Sequence, residues 1–174
     1  LPIYVIIIYN IFEHLLKNMG AQLDIHTTAL HNGVRNMYPL GLAVKCPRAV
    51  LALLEHGADP NLINSAIPVM NFTEFAIECF DLDVFKYAIK HNLLDMGSFC
   101  NIRSMYAIPH FLDVYKTRYK NSKKTPEQFL PLLTTVLGQC TEEQLNVNSM
   151  CSPLCYADVP VPLDMLKLLI HRGA

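Results

Sequence analysis

The chain has 174 residues, of which 52% are apolar, with 14 basic against 15 acidic side chains and a net charge of −1. That balance excludes an intrinsically disordered chain and argues against a partner held mainly by charge. Its length is one domain's worth, enough to bury a core, and its mean hydropathy of +0.24 is high for a free-standing protein.

In chain order, the first element is an apolar run, Leu1-Pro2-Ile3-Tyr4-Val5-Ile6-Ile7-Ile8, leading to Gly20-Ala21. It lacks a basic leader and a small-residue cleavage site and is too short to span a bilayer, and Pro2 to Gly20 spans the same interval as Pro39 to Gly57, so it reads as a first inner helix and not as a signal peptide. A mixed loop follows over about 22–38, where Asn32-Gly33 breaks the helix-like opening Thr28-Ala29-Leu30-His31. Pro39-Leu40 then opens a helix, and a second, Val50-Leu51-Ala52-Leu53-Leu54, ends at Gly57-Ala58-Asp59-Pro60-Asn61. Ala49, Val50, Leu53 and Leu54 share one helical face, as do Val84, Phe85, Ala88 and Ile89 further on. Glycine at 20, 57 and 173 suits the left-handed position after a helix, and Asn92 is the next best residue for it. Leu40 maps onto Phe75 and Gly57 onto Asn92 with one offset of 35. A period in the thirties signals stacked units, none of which buries its apolar face alone.

Residues 96–150 depart from this pattern. Asn92 to Gly138 is 46 residues and Gly138 to Gly173 is 35, an enlargement of eleven. An inner helix over about 104–120 and an outer helix from Pro126 to Leu137 are predicted. Thr125-Pro126-Glu127-Gln128 is a capping box, and Thr141-Glu142-Glu143-Gln144 repeats its signature.

Ser152-Pro153-Leu154-Cys155-Tyr156-Ala157, then Leu163 to Ile170, then Gly173-Ala174, resembles an ankyrin repeat, with Cys155 in place of the family's histidine. Tyr38-Pro39-Leu40-Gly41-Leu42-Ala43 through Asn61 is a second copy, two residues shorter between its helices, and Thr73 to Asn92 a third. The resemblance implies an all-α fold, an α-solenoid of stacked helix-turn-helix repeats with hairpin loops. The expected units within the single domain 1–174 are 1–37, 38–72, 73–103, an enlarged 104–150 and a partial 151–174. Apolar ends in mid-repeat fit an excerpt of a longer protein.

Candidate chemistry is sparse. No Gly-x-Gly-x-x-Gly, P-loop or His-Glu-x-x-His occurs, and Asp81/Asp83 and Glu142/Glu143 lie where acids favour helix starts. Cys151-x-x-x-Cys155 with His171 lacks the second pair that a structural zinc site shows. Cys100 with His110, or Cys79 with His91, would need an activating base and an oxyanion-stabilising turn, and neither appears as a motif. Core thiols in a reducing compartment, cytoplasm or nucleus, are the expected state of the six cysteines. His56 and His91 fall where an imidazole caps the last carbonyls of a helix. Lys116, Arg118, Lys120, Lys123 and Lys124, interleaved with Tyr115 and Tyr119, read as a solvated helix end and loop, with docking of an acidic protein a second reading and nucleic acid a third.

By the resemblance, the chain is a protein-interaction module. Its partner-binding residues would be Arg35, Met37, Lys45, Asn64, Met70, Asn71, Phe80, Arg103 and Met150, at the hairpin tips and on the inner helices. The alternative is a substrate-recruiting or targeting domain of a larger enzyme, such as a ubiquitin-ligase component or secreted effector. A monomeric domain is expected, with a protein partner and with no catalytic residue, cofactor, metal, small-molecule substrate or membrane.

Overall fold

Two helix ends 35 residues apart have the same hydrogen-bonded shape, and they set the frame of the molecule. The computed structural model describes residue 14 and residues 29–31, 35–64, 69–101, 104–122, 125–145 and 163–171. Among these, the chain is mostly helical. A hairpin of β1 (Ala29–His31) and β2 (Arg35–Met37) pairs antiparallel with Leu30 opposite Asn36. It leads into α1 (Pro39–Leu42), a 3-10 turn (Ala43–Lys45) and α2 (Pro47–Glu55). The next pair is α3 (Phe72–Cys79) and α4 (Leu82–Lys90), followed by a hairpin of β3 (Phe99–Cys100) and β4 (Met105–Tyr106). Then come α5 (Ala107–Lys120), a 3-10 turn (Pro126–Phe129), α6 (Leu130–Leu137), the short α7 (Glu142–Leu145) and α8 (Leu163–His171).

Local chemistry places these boundaries. Asn71 caps α3 by accepting the Glu74 N–H at 2.8 Å, and Asp81 caps α4 by accepting from Asp83 and Val84 at 3.0 and 3.2 Å. Between them Phe80 turns the chain in the left-handed region at φ 50. At the end of α2, the N–H of Ala58 reaches the Leu53 carbonyl and that of Gly57 the Leu54 carbonyl, with Gly57 at φ 86. At the end of α4, Leu93 reaches Ala88 and Asn92 reaches Ile89, with Asn92 at φ 54. Both are the double-bonded left-handed cap, and Asn92 takes the conformation its residue type predicts. Nothing lies within 4 Å of where a Cβ on Gly57 would sit, so Gly57→Ala tests backbone strain alone. A loss of about 1–2 kcal/mol is expected in urea unfolding.

The helices form two layers. In one, the Ala43–Lys45 turn packs on α3 and α3 packs on α5; in the other, α2 packs on α4, α4 on α6 and α6 on α8. The apolar stripes meet between the layers: Val50, Leu53, Phe75, Val84, Phe85, Ala88, Phe111, Leu133 and Val136 are all buried. Tyr87 ties the outer layer together by donating its hydroxyl to the Leu54 carbonyl at 3.3 Å.

The enlarged segment differs from expectation in two places. Its inner helix starts at Ala107, because Met105 and Tyr106 pair back onto the hairpin. At 14 residues it outreaches the eight of α3. Its outer helix is not continuous from Pro126: Pro131 has no N–H to give the Glu127 carbonyl, which takes the Leu130 N–H in a tighter turn before α6 begins. Thr125 and Gln128 form the predicted capping box, and Thr141 and Gln144 exchange bonds of 3.0 and 3.2 Å at the start of α7. Gly138 ends α6 in the right-handed region at φ −64, so this boundary lacks the left-handed cap of the two before it. Gly20, Gly173, Pro153 and the opening apolar run lie outside the described residues.

Candidate functional site

Two apolar-apolar-asparagine triplets stand beside the inner helices, Val69-Met70-Asn71 directly before α3 and Phe99-Cys100-Asn101 in the β3–β4 hairpin. The two triplets are cross-linked: Asn71 Nδ2 donates to the Phe99 carbonyl and Asn101 Nδ2 to the Val69 carbonyl, both at 3.2 Å. Asn71 does this while its Oδ1 caps α3, so one side chain fixes helix and loop together. Further down the same loops, Asn64 Oδ1 accepts the Met70 N–H at 2.8 Å and the Thr73 hydroxyl accepts the Asp95 N–H at 2.9 Å. The effect is a stiff ledge beside the inner helices. Val69 and Phe99 stand on it about half exposed, at 48% and 46%, with Phe99 edge-on to Tyr106 at 5.5 Å. Leu42 on α1 is exposed at 42%.

The nine residues singled out from the sequence divide on this geometry. Lys45 is exposed on the turn after α1, and Met70 is half-buried against the core beside the ledge. Arg35 and Met37 are strand positions of the first hairpin, opposite His31 and Ala29. Asn71 sits at the cross-link, with both side-chain atoms engaged internally. Asn64 is 4% exposed and spends its carbonyl on the loop. Phe80 is half-buried because its left-handed turn folds the ring back against Phe111 and Phe129, at 5.5 and 6.0 Å. Arg103 and Met150 lie outside the described residues. Sequence reasoning passed over Val69, Phe99 and Leu42; the repeated triplet is the signal that would have found the first two.

The basic run is also re-sorted. Tyr115 is buried with its ring edge-on to Phe129 at 5.5 Å, and Tyr119 packs half-buried against the same ring. Arg118 donates to the Glu78 carbonyl at 3.0 Å, locking α5 to the end of α3. These aromatic rings are therefore core, not a stacking platform for bases. Lys123 and Lys124 fall outside the described residues.

Beneath the ledge, a polar cluster is enclosed in the apolar stack. Glu74 on α3, Cys100 on β3 and His110 on α5 are each essentially inaccessible to water, and their ligating atoms lie within 4.8 Å of one another. His110 Nε2 is 3.1 Å from Glu78 Oε1. Stacking of the inner layer thus brings together the Cys100 and His110 that the sequence offered as a nucleophile pair. Burial pushes the Cys100 thiol up to about 12, with Glu74 and Glu78 adding to it, so the reactive thiolate is suppressed at neutral pH. The other pair does not need a reactive reading: His91 stacks on Tyr87 at 4.3 Å, and burial raises Cys79 to about 12. His56 Nδ1 caps the Ala52 carbonyl at 2.8 Å. Thiol labelling of native protein with peptide mapping is expected to mark Cys46, which is half-buried, and to spare Cys79, Cys100 and Cys140. Rapid labelling of Cys100 would restore the nucleophile reading.

Cys79 and Tyr115 have pKa values raised by burial, Tyr115 also to about 12. Both keep a proton in the folded chain that the unfolded chain releases, so stability is expected to fall as pH rises from 9 towards 12. Urea midpoints across that range check it, with a shallower fall in Tyr115→Phe.

A shallow cleft of about 240 Å³ bounded by Asn92, Asp95, Gln139 and Gln144 lies at the far end of α4. It is below the roughly 300–1,000 Å³ of pockets that enclose a small molecule. Among the described residues no helix is long and apolar enough to cross a membrane. No family model, no curated protein and no solved structure matches the chain.

Proposed function

We propose that the chain is an ankyrin-type repeat domain that binds a partner protein along the ledge and the exposed positions of its inner helices. The observation that carries the reading is the pair Val69 and Phe99, apolar, half exposed, and held on consecutive loops by reciprocal asparagine bonds. An apolar pair on a pre-ordered backbone gives up little entropy on binding, which is how a repeat surface obtains affinity. Lys45 and the first hairpin, with Arg35 and Met37, would extend the contact. Support for the repeat reading comes from the two equal caps at an offset of 35 and from inner helix stacking on inner, outer on outer.

The test is capture of a partner by the parent chain and by two variants, with circular dichroism to verify folding. Val69→Asp with Phe99→Asp is expected to weaken capture by about thirtyfold, the loss of an apolar anchor worth about 2 kcal/mol. Lys86→Glu with Lys90→Glu, on the exposed side of α4, is expected to leave capture unchanged. Equal capture by the parent and the ledge variant would overturn the assignment.

A further inference from the structure

The geometry points to a metal site inside the inner layer: we propose that Glu74, Cys100 and His110 bind one Zn²⁺ ion. Three observations converge on it. The first is proximity, because one carboxylate oxygen, one sulfur and one ring nitrogen lie within 4.8 Å of one another. A tetrahedral ion holds its ligands roughly 3.5 Å apart, so the three close around it by side-chain movement on the order of 1 Å.

The second is an unsatisfied nitrogen. Glu78 Oε1 lies 3.1 Å from His110 Nε2 and takes its N–H, and in the tautomer with that proton on Nε2 the lone pair is on Nδ1. His110 is 0% exposed, and Nδ1 has no hydrogen-bond partner. A buried acceptor without a donor is costly, and a metal ion is a partner that satisfies a lone pair. The carboxylate–histidine arrangement behind it is the one that orients imidazoles on zinc and makes them more basic. Arg118, bonded to the Glu78 carbonyl, holds the helix that carries this carboxylate against α5.

The third is charge and softness. A thiolate, a carboxylate and a neutral imidazole around a divalent cation sum to zero, so the filled site carries no net charge into the apolar core. The mixed sulfur, nitrogen and oxygen set favours zinc over magnesium or calcium, which take oxygen alone. The ion would tie α3, the β3–β4 hairpin and α5 together, three elements that otherwise meet through side chains and hairpin bonds. That role is distinct from partner binding on the ledge and stands without it.

The experiment loads the purified chain with Zn²⁺ or Co²⁺ during refolding, because the ligands are enclosed in the folded state. Expected are equimolar retained zinc after desalting, a higher unfolding temperature, and a sulfur-to-cobalt charge-transfer band. Cys100→Ser is expected to abolish the band and the thermal gain, whereas Cys151→Ser with Cys155→Ser keeps both. His110→Gln is expected to weaken zinc retention by roughly 10–100-fold or more. X-ray absorption at the zinc edge of the unmodified chain reads the ligand set whether or not the variants fold: one sulfur among nitrogen and oxygen neighbours is expected. Sub-stoichiometric zinc, two or more sulfurs in the shell, or a band that survives Cys100→Ser would each overturn the site.

Discussion

Phe111→Ala is expected to cost about 3–5 kcal/mol, a large share of the 5–15 kcal/mol that holds a domain together. Phe111 is fully buried and bridges two units: its ring lies 5.5 Å from Phe80 and, edge-on, 5.8 Å from Phe85. Phe85 and Phe80 belong to the α3–α4 unit and Phe111 to α5, so truncation removes apolar area, takes away the edge-on partner of Phe85 and leaves Phe80 against Phe129 alone. In the repeat reading proposed above, stability is the sum of unit and interface terms, and the loss should fall on the coupling between neighbours. Urea unfolding followed by circular dichroism is expected to broaden as well as shift. Phe99→Ala, which removes a half-exposed ring, is the control, with a loss below about 1 kcal/mol. Equal losses for the two would show that the bridge between units is not where the stability lies.

The second large effect is expected at Asn71. Asn71→Ala deletes the cap on α3 and the bond to Phe99, and a cap of about 1 kcal/mol plus a net hydrogen bond of similar size gives about 2 kcal/mol. Asn71→Asp separates the two contributions. A carboxylate still accepts the Glu74 N–H and suits the positive end of the helix, but it has no N–H to give the Phe99 carbonyl. Most of the stability should therefore return in the aspartate variant, while partner capture stays weak because the ledge is no longer tied. Full recovery of capture in Asn71→Asp would show that the loop cross-link does not order the binding surface.

Legibility in the sequence followed the range of the interaction. Caps are local, so Asn92 in the left-handed region, the Thr125–Gln128 box and its echo at Thr141–Gln144 could all be read from residue type and spacing. The apolar stripes of α2 and α4 were legible for the same reason. Proline at 131 breaks the outer helix through a missing N–H, a cause as local as a cap. Tyr115 stands among basic neighbours, but its spacing from Phe111 and Tyr119, four residues each way, puts all three on one helical face. Phe80 was placed by position in a repeat, which says nothing of a left-handed turn that folds the ring inward. The polar cluster was the least legible. Glu74, Cys100 and His110 sit on a helix, a strand and another helix, and only the stacking of the inner layer brings them within reach.

The matching caps at Gly57 and Asn92 have a consequence for how such a chain can change its length. At both points the backbone leaves its helix through the same pair of hydrogen bonds and the same left-handed residue. The segment that follows is therefore tied back to its helix by the same two bonds in each case. In the repeat reading, removing or duplicating the 35 residues between them would rejoin the chain at a cap with the same hydrogen bonds. For the repeat array proposed above, this joint makes 35 residues the unit of gain or loss.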